Sequence, residues 1–135
     1  MAPNRIWGNR VKKIVVLDTS AILMLFEFSI DLENELTRLI GNYKIVVPKP
    51  IVDELNFLSE KRKGKKQNFA KAALNLIEKY DVLEVDGEKG DDSVLALASK
   101  LDCFLITNDR ELRRRAKNQG LHTIFLRNKS ILTID

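Results

Sequence analysis

Four acidic residues stand where apolar runs end or helical ones begin, far apart along the 135-residue chain. Asp18 closes Ile14-Val15-Val16-Leu17 and leads into Thr19-Ser20. Glu54 follows Val46-Val47-Pro48. Asp91, with Asp92 beside it, precedes Val94-Leu95-Ala96-Leu97-Ala98, and Asp109 follows Phe104-Leu105-Ile106-Thr107-Asn108. Carboxylates gathered in one pocket repel one another, and a divalent cation relieves that repulsion. With one His and one Cys in the chain, the ligands on offer are hard oxygens, which favour Mg²⁺ or Mn²⁺ over softer metals. The chemistry such a cluster supports is metal-assisted attack on a phosphoryl or related centre. Thr19, Ser20, Thr107 and Asn108 flank Asp18 and Asp109, where short hydroxyls and amides can orient carboxylates.

Each acid also has a plainer reading. Asp18, Asp91 or Asp92, and Asp109 each precede a helical segment and could cap its free N–H groups. Glu54 could be one more solvated helix residue. Asp18 resists the plain reading most, because it ends a wholly apolar strand where an unpartnered charge is costly. Other chemistries find little support. His122 stands alone at a strand start, so no Ser/His/Asp or Cys/His arrangement can be assembled. Zinc held by Cys and His is excluded by count. Gly64-Lys65-Lys66 is a basic turn, and no phosphate-binding glycine loop follows the first strand.

The elements that would position these acids alternate. Strands are expected at Lys13–Leu17, Tyr43–Val47, Val82–Val85, Cys103–Thr107 and His122–Leu126, with a short edge at Ile131–Ile134. Helices are expected at Ser20–Phe28, Ile30–Ile40, from Pro50 through Leu58, along Phe69 to Tyr80, after Gly90, and over Arg110–Asn118. Arg62–Lys66 reads as a basic linker. This alternation predicts an α/β/α sandwich, three layers on a mostly parallel sheet, in a single domain. In such a sheet the strands' carboxyl ends share one edge, where ligands bind. The four acids are thereby expected to converge.

Composition narrows the partners. The net charge is +4, a mild signal for a polyanion. Basic residues cluster at Arg5, Arg10, Lys12 and Lys13, at Lys61–Lys66 around Gly64, at Arg113–Lys117, and at Arg127 and Lys129. Residues 1–12 read as a loose basic arm. An acidic pocket framed by basic surface suits an enzyme that grips phosphate backbones. No apolar run approaches the ~20 residues of a membrane span, and the N-terminus lacks a signal peptide's apolar stretch. A cytoplasmic protein without membrane attachment is expected. Cys103 lies in an apolar run as a small core residue.

At this point the motifs resemble a known family. Val15-Val16-Leu17-Asp18-Thr19-Ser20-Ala21-Ile22-Leu23 resembles the opening motif of PIN domains, and Val47-Pro48-Lys49-Pro50-Ile51-Val52-Asp53-Glu54-Leu55 their second. Asp91-Asp92-Ser93-Val94-Leu95-Ala96-Leu97-Ala98 is similar to the third, and Leu105-Ile106-Thr107-Asn108-Asp109-Arg110-Glu111-Leu112 to the fourth. The chain is similar both to VapC-type toxins and to archaeal and eukaryotic PIN domains of rRNA processing. The resemblance implies a metal-dependent endoribonuclease whose Mg²⁺ or Mn²⁺ is held by Asp18, Glu54, Asp91 and Asp109. Counting back from Val94 and Ala98, Asp91 fits the third motif's register, with Asp92 in reserve. Arg62, Lys63, Arg113 and Arg114 are then expected to position single-stranded or loop RNA. An antitoxin or ribosomal-precursor partner and a homodimer are further expectations, with Leu23–Phe28 as core or as a partner face. Two rivals stand beside this: a catalytically silent RNA- or protein-binding module, and another metal-dependent enzyme such as a flavodoxin-like receiver. The receiver would need an acid pair after the first strand and a Lys after the last, and neither is present.

Overall fold

Ile14 to Leu17 is apolar and, but for Leu17, β-branched, the composition of a strand covered on both sides. In the computed structural model it forms the centre of the molecule. Described are residues 12–85, 89–101 and 103–135. Arg5 and Arg10 of the expected basic arm lie outside them. Strand β1 (Lys13–Leu17) has Val15, Val16 and Leu17 fully buried. It pairs in parallel with β2 (Tyr43–Pro48) on one side and β4 (Phe104–Ile106) on the other. β3 (Asp81–Leu83) extends the sheet beyond β2, and β5 (His122–Arg127) beyond β4. β6 (Ile131–Ile134) closes the β5 edge and is the antiparallel strand.

Helices α1 (Thr19–Glu27), α2 (Leu32–Ile40), α3 (Lys49–Lys61), α4 (Lys65–Ile77), α5 (Gly90–Leu101) and α6 (Arg110–Asn118) fill the connections. Together they make the expected three-layer α/β/α arrangement. No described helix is long and apolar enough to cross a membrane. Of the apolar run Leu23–Phe28, Met24 and Leu25 are buried, so much of it is core.

The sheet order is β3-β2-β1-β4-β5-β6. The chain steps outward from β1 to β3, then returns to the other side of β1 to make β4. The direction of winding therefore reverses between β1 and β4, and ligands bind at the carboxyl ends of strands beside such a reversal. Leu17 is registered with Ile106, so Asp18 and Thr107 leave the sheet side by side.

Several boundaries differ from the sequence-based expectation. The basic linker shrinks to Arg62–Gly64, because α4 begins at Lys65 rather than near Phe69. Gly64 makes the sharp turn with φ +73 and ψ −141, a conformation that suits a residue without Cβ. α4 stops at Ile77, and Tyr80 lies beyond it, since Asp81 already pairs with Val46 of β2. The third strand accordingly lies at Asp81–Leu83 instead of Val82–Val85.

Candidate active site

Asp18 is buried, with 3% of its surface exposed. Its carboxylate is the N-cap of α1 and accepts the Ala21 N–H at 2.7 Å. Three more contacts hold it. Thr107 Oγ1 donates to Oδ2 at 2.5 Å, and Ser20 Oγ lies 2.9 and 3.0 Å from the two oxygens. Burial pushes the Asp18 pKa up to about 6, against the pull of these hydrogen bonds and with a further push from Asp91. The cap reading is thus true of this residue: the helix end fixes the carboxylate, which still faces a cleft.

Thr107 ties the second acid to the first. The Asp109 N–H donates to Thr107 Oγ1 at 3.0 Å. The Asp109 carboxylate in turn caps α6, accepting the Leu112 N–H at 3.0 Å. Asn108, between them, donates its N–H to Ser20 Oγ and accepts the Leu126 N–H through Oδ1. A continuous set of hydrogen bonds therefore joins the ends of β1, β4 and β5. Of the four flanking residues singled out from sequence, Ser20 and Thr107 bond Asp18 and Thr19 donates to Glu54 Oε1 at 2.5 Å across to α3, whereas Asn108 bonds Ser20 and Leu126 and no acid.

The other two acids come from helices. Glu54 is on the exposed face of α3, and Asp91 is in the first turn of α5. Asp18, Glu54, Asp91 and Asp109 all line one cleft of about 360 Å³, together with Thr19, Ser20, Arg62, Lys66 and Gly90. The Asp91 pKa is raised by burial first and by repulsion from Asp109 and Glu54, with Arg115 pulling the other way. Asp92 points elsewhere. Its side chain is 63% exposed and bonds Arg115 at 2.7 Å. The doublet does not cap α5, since both residues lie inside the helix.

An all-carboxylate donor set under mutual repulsion is what a hard divalent cation fits. Among the described residues, no three acidic, His or Cys side chains are drawn close enough to hold one ion as they stand. The Asp18 oxygens meet hydroxyls and the Ala21 N–H, and Glu54 meets Thr19.

A family model described as PIN like domain matches residues 15–129. The chain belongs to the PIN domain family. It is 34% identical over 127 residues to ribonuclease VapC9 of Archaeoglobus fulgidus, covering 94% of this chain and 92% of that one. The solved PIN domain endonuclease Utp24 superposes with a TM-score of 0.73 at 22% identity, over 90% of both chains. VapBC2 from Rickettsia felis, bound to a DNA fragment, gives 0.64 at 18% identity, over 84% of this chain and 99% of that one. At these identities the two structures speak to fold alone.

In this PIN domain the basic residues divide. Arg62 lines the cleft, as does Lys66, which no motif singles out. Lys63 is exposed beside them but outside the lining. Arg113 and Arg114 line a separate hollow along α6. Arg113 stacks over Phe125 at 4.1 Å and lies 3.8 Å from Asp135, and Arg114 pairs with Glu111. A second hollow adjoins the cleft through Glu54 and Gly90 and carries Lys49 and Lys89. His122 is at the amino end of β5, stacked on Phe104, at the opposite edge of the sheet from the acids.

Proposed function

We propose that this PIN domain is an endoribonuclease that hydrolyses RNA phosphodiesters in the carboxylate cleft, using Mg²⁺ or Mn²⁺. The observation that carries the reading is the convergence of Asp18, Glu54, Asp91 and Asp109 on one cleft edged by Arg62 and Lys66. Kinship with a protein named a ribonuclease supports RNA as the substrate.

Asp18, Glu54, Asp91 and Asp109 would hold the cation. Bound there, a divalent ion supplies Lewis acidity and positive charge at the scissile phosphate. Thr107 and Ser20 fix the direction of the Asp18 oxygens, and Thr19 restrains Glu54. Arg62 and Lys66 neutralise neighbouring phosphates and set the strand in the cleft, contacts that carry little sequence information. An open cleft of this size takes an exposed single strand or loop, where RNA recognition favours unpaired segments.

A catalytically silent binding module is the second reading, favoured by the separation of the acidic side chains. Incubating the protein with mixed-sequence single-stranded RNA in Mn²⁺, Mg²⁺ and EDTA, beside Asp18→Asn, separates the two. The nuclease reading expects cutting in metal and none in EDTA or in the variant. RNA retained uncut in every condition would favour the module, and an active Asp18→Asn protein would sink the site assignment.

A further inference from the structure

Beside the cleft, α3 presents an aromatic ring to solvent. Phe57 is 51% exposed, and no other Phe or Tyr among the described residues is exposed. It follows Glu54 by three residues, so it stands one turn along the same helix from that carboxylate. The Arg62 guanidinium lies 5.9 Å from its ring centroid. Arg62 also lines the cleft with Lys66. Acid, cation and ring therefore adjoin along the cleft's α3 side. Leaving half a phenyl ring in water is unfavourable, and an exposed cation over its face recovers only part of that.

Every nucleobase has a face that stacks on an aromatic ring, and single strands are held by such rings beside a cationic groove for the backbone. We propose that Phe57, with Arg62 against it, is a stacking platform for an unpaired base next to the phosphate in the carboxylate cleft. This rests on the ribonuclease reading of that cleft. A base in a duplex is already stacked and paired, so it cannot be delivered to the ring without opening the helix. The platform thus makes Phe57 a positioning residue that selects single strands and loops while tolerating any base.

The test uses short single-stranded RNAs carrying 2-aminopurine at successive positions, whose fluorescence falls on stacking. The full chain with Asp18→Asn keeps the RNA intact. One or two positions should be quenched on binding. Phe57→Ala in that background should lose the quench and weaken binding by roughly 5- to 100-fold. Phe57→Trp should restore both, whereas Phe57→Leu, of similar bulk without a π face, should not. Thermal melts of each variant confirm folding. Unchanged quench and affinity in a folded Phe57→Ala protein overturns the platform. So does a change of oligomeric state with RNA binding intact, which would place the ring in a protein interface. Intact RNA after incubation of the unaltered protein in Mn²⁺ and Mg²⁺ overturns the nuclease reading alone, and the quench still decides the platform.

Discussion

The two halves of the carboxylate site are built differently. Asp18 and Asp109 belong to the sheet half. Each caps a helix, and Thr107 bridges the Asp18 carboxylate to the Asp109 backbone. Glu54 and Asp91 belong to the helix half, on elements that reach the cleft from the side, and one hydroxyl contact restrains Glu54. The sheet half takes its geometry from strand register and from backbone donors. In the proposed site, the helix half would be drawn in by the cation. A metal site of this kind can be half pre-organised, with the remaining closure supplied by the ion itself.

Breaking the sheet half should have the largest effect. Asp18→Asn is expected to lower metal-dependent cleavage by more than about 100-fold, beyond the range usual for outer partners of a metal site. Steady-state cleavage of labelled RNA measures it. The same change should stabilise the protein in EDTA. Asp18 has a folded pKa of about 6 against an ordinary 3.8, so the folded state prefers the protonated acid. Its contribution is fully present below about pH 4 and is lost as pH rises through about 6, a total of roughly 3 kcal/mol. Urea unfolding of the metal-free protein from pH 4 to 7.5 should show that decline. Asp18→Asn should remove much of it, and an identical slope in both proteins would refute the burial account.

Thr107→Val sharpens the comparison, since it removes the bridge within the sheet half while keeping the shape. Cleavage is expected to fall about 10- to 100-fold, with the acid limb of the pH–rate profile moving upward. The limb moves up because a hydrogen bond that favours the ionised Asp18 is gone. Substitutions in the helix half, Glu54→Gln and Asp91→Asn, should weaken Mn²⁺ binding; Glu54→Gln should leave most of the EDTA-state pH slope in place, while Asp91→Asn should remove the share that comes from the raised pKa of Asp91 itself. Calorimetric Mn²⁺ titration measures the loss of binding, and the EDTA-state pH slope separates Glu54→Gln from Asp18→Asn.

The smallest effect is expected at Asp92. Asp92→Asn breaks an exposed, solvent-screened pair with Arg115 and should leave both stability and cleavage near those of the unaltered protein. A loss as large as that of Asp91→Asn would mean the wrong member of the doublet has been assigned to the cleft.

Asp18 and Asp109 were legible in the chain because apolar runs end at them, and a parallel sheet gathers strand ends on one edge. The neighbouring hydroxyls were legible for the same reason. Asp91 against Asp92 is a matter of helix rotation, about 100° per residue. The motif register favours Asp91, and the structure turns Asp91 to the cleft and Asp92 to Arg115. The basic residues were legible as clusters and not as places. Lys66 reaches the cleft because α4 starts four residues earlier than the apolar pattern suggests. Arg113 is drawn aside by Phe125 of β5 and by Asp135, contacts between distant segments that no local pattern announces. The hydroxyl that each acid meets across elements, Thr107 for Asp18 and Thr19 for Glu54, is equally hidden.

In the proposed site, two unlike halves close on one divalent cation. Thermal unfolding at pH 7.5, with Mn²⁺ titrated into the unaltered protein and into Asp18→Asn, tests this directly. Ion binding to the folded state should raise the melting temperature of the unaltered protein in proportion to the logarithm of Mn²⁺ concentration above its Kd. The variant, already the more stable of the two in EDTA, should respond little. Equal Mn²⁺-dependent rises in both proteins would contradict the claim, because the cation would then be binding without Asp18.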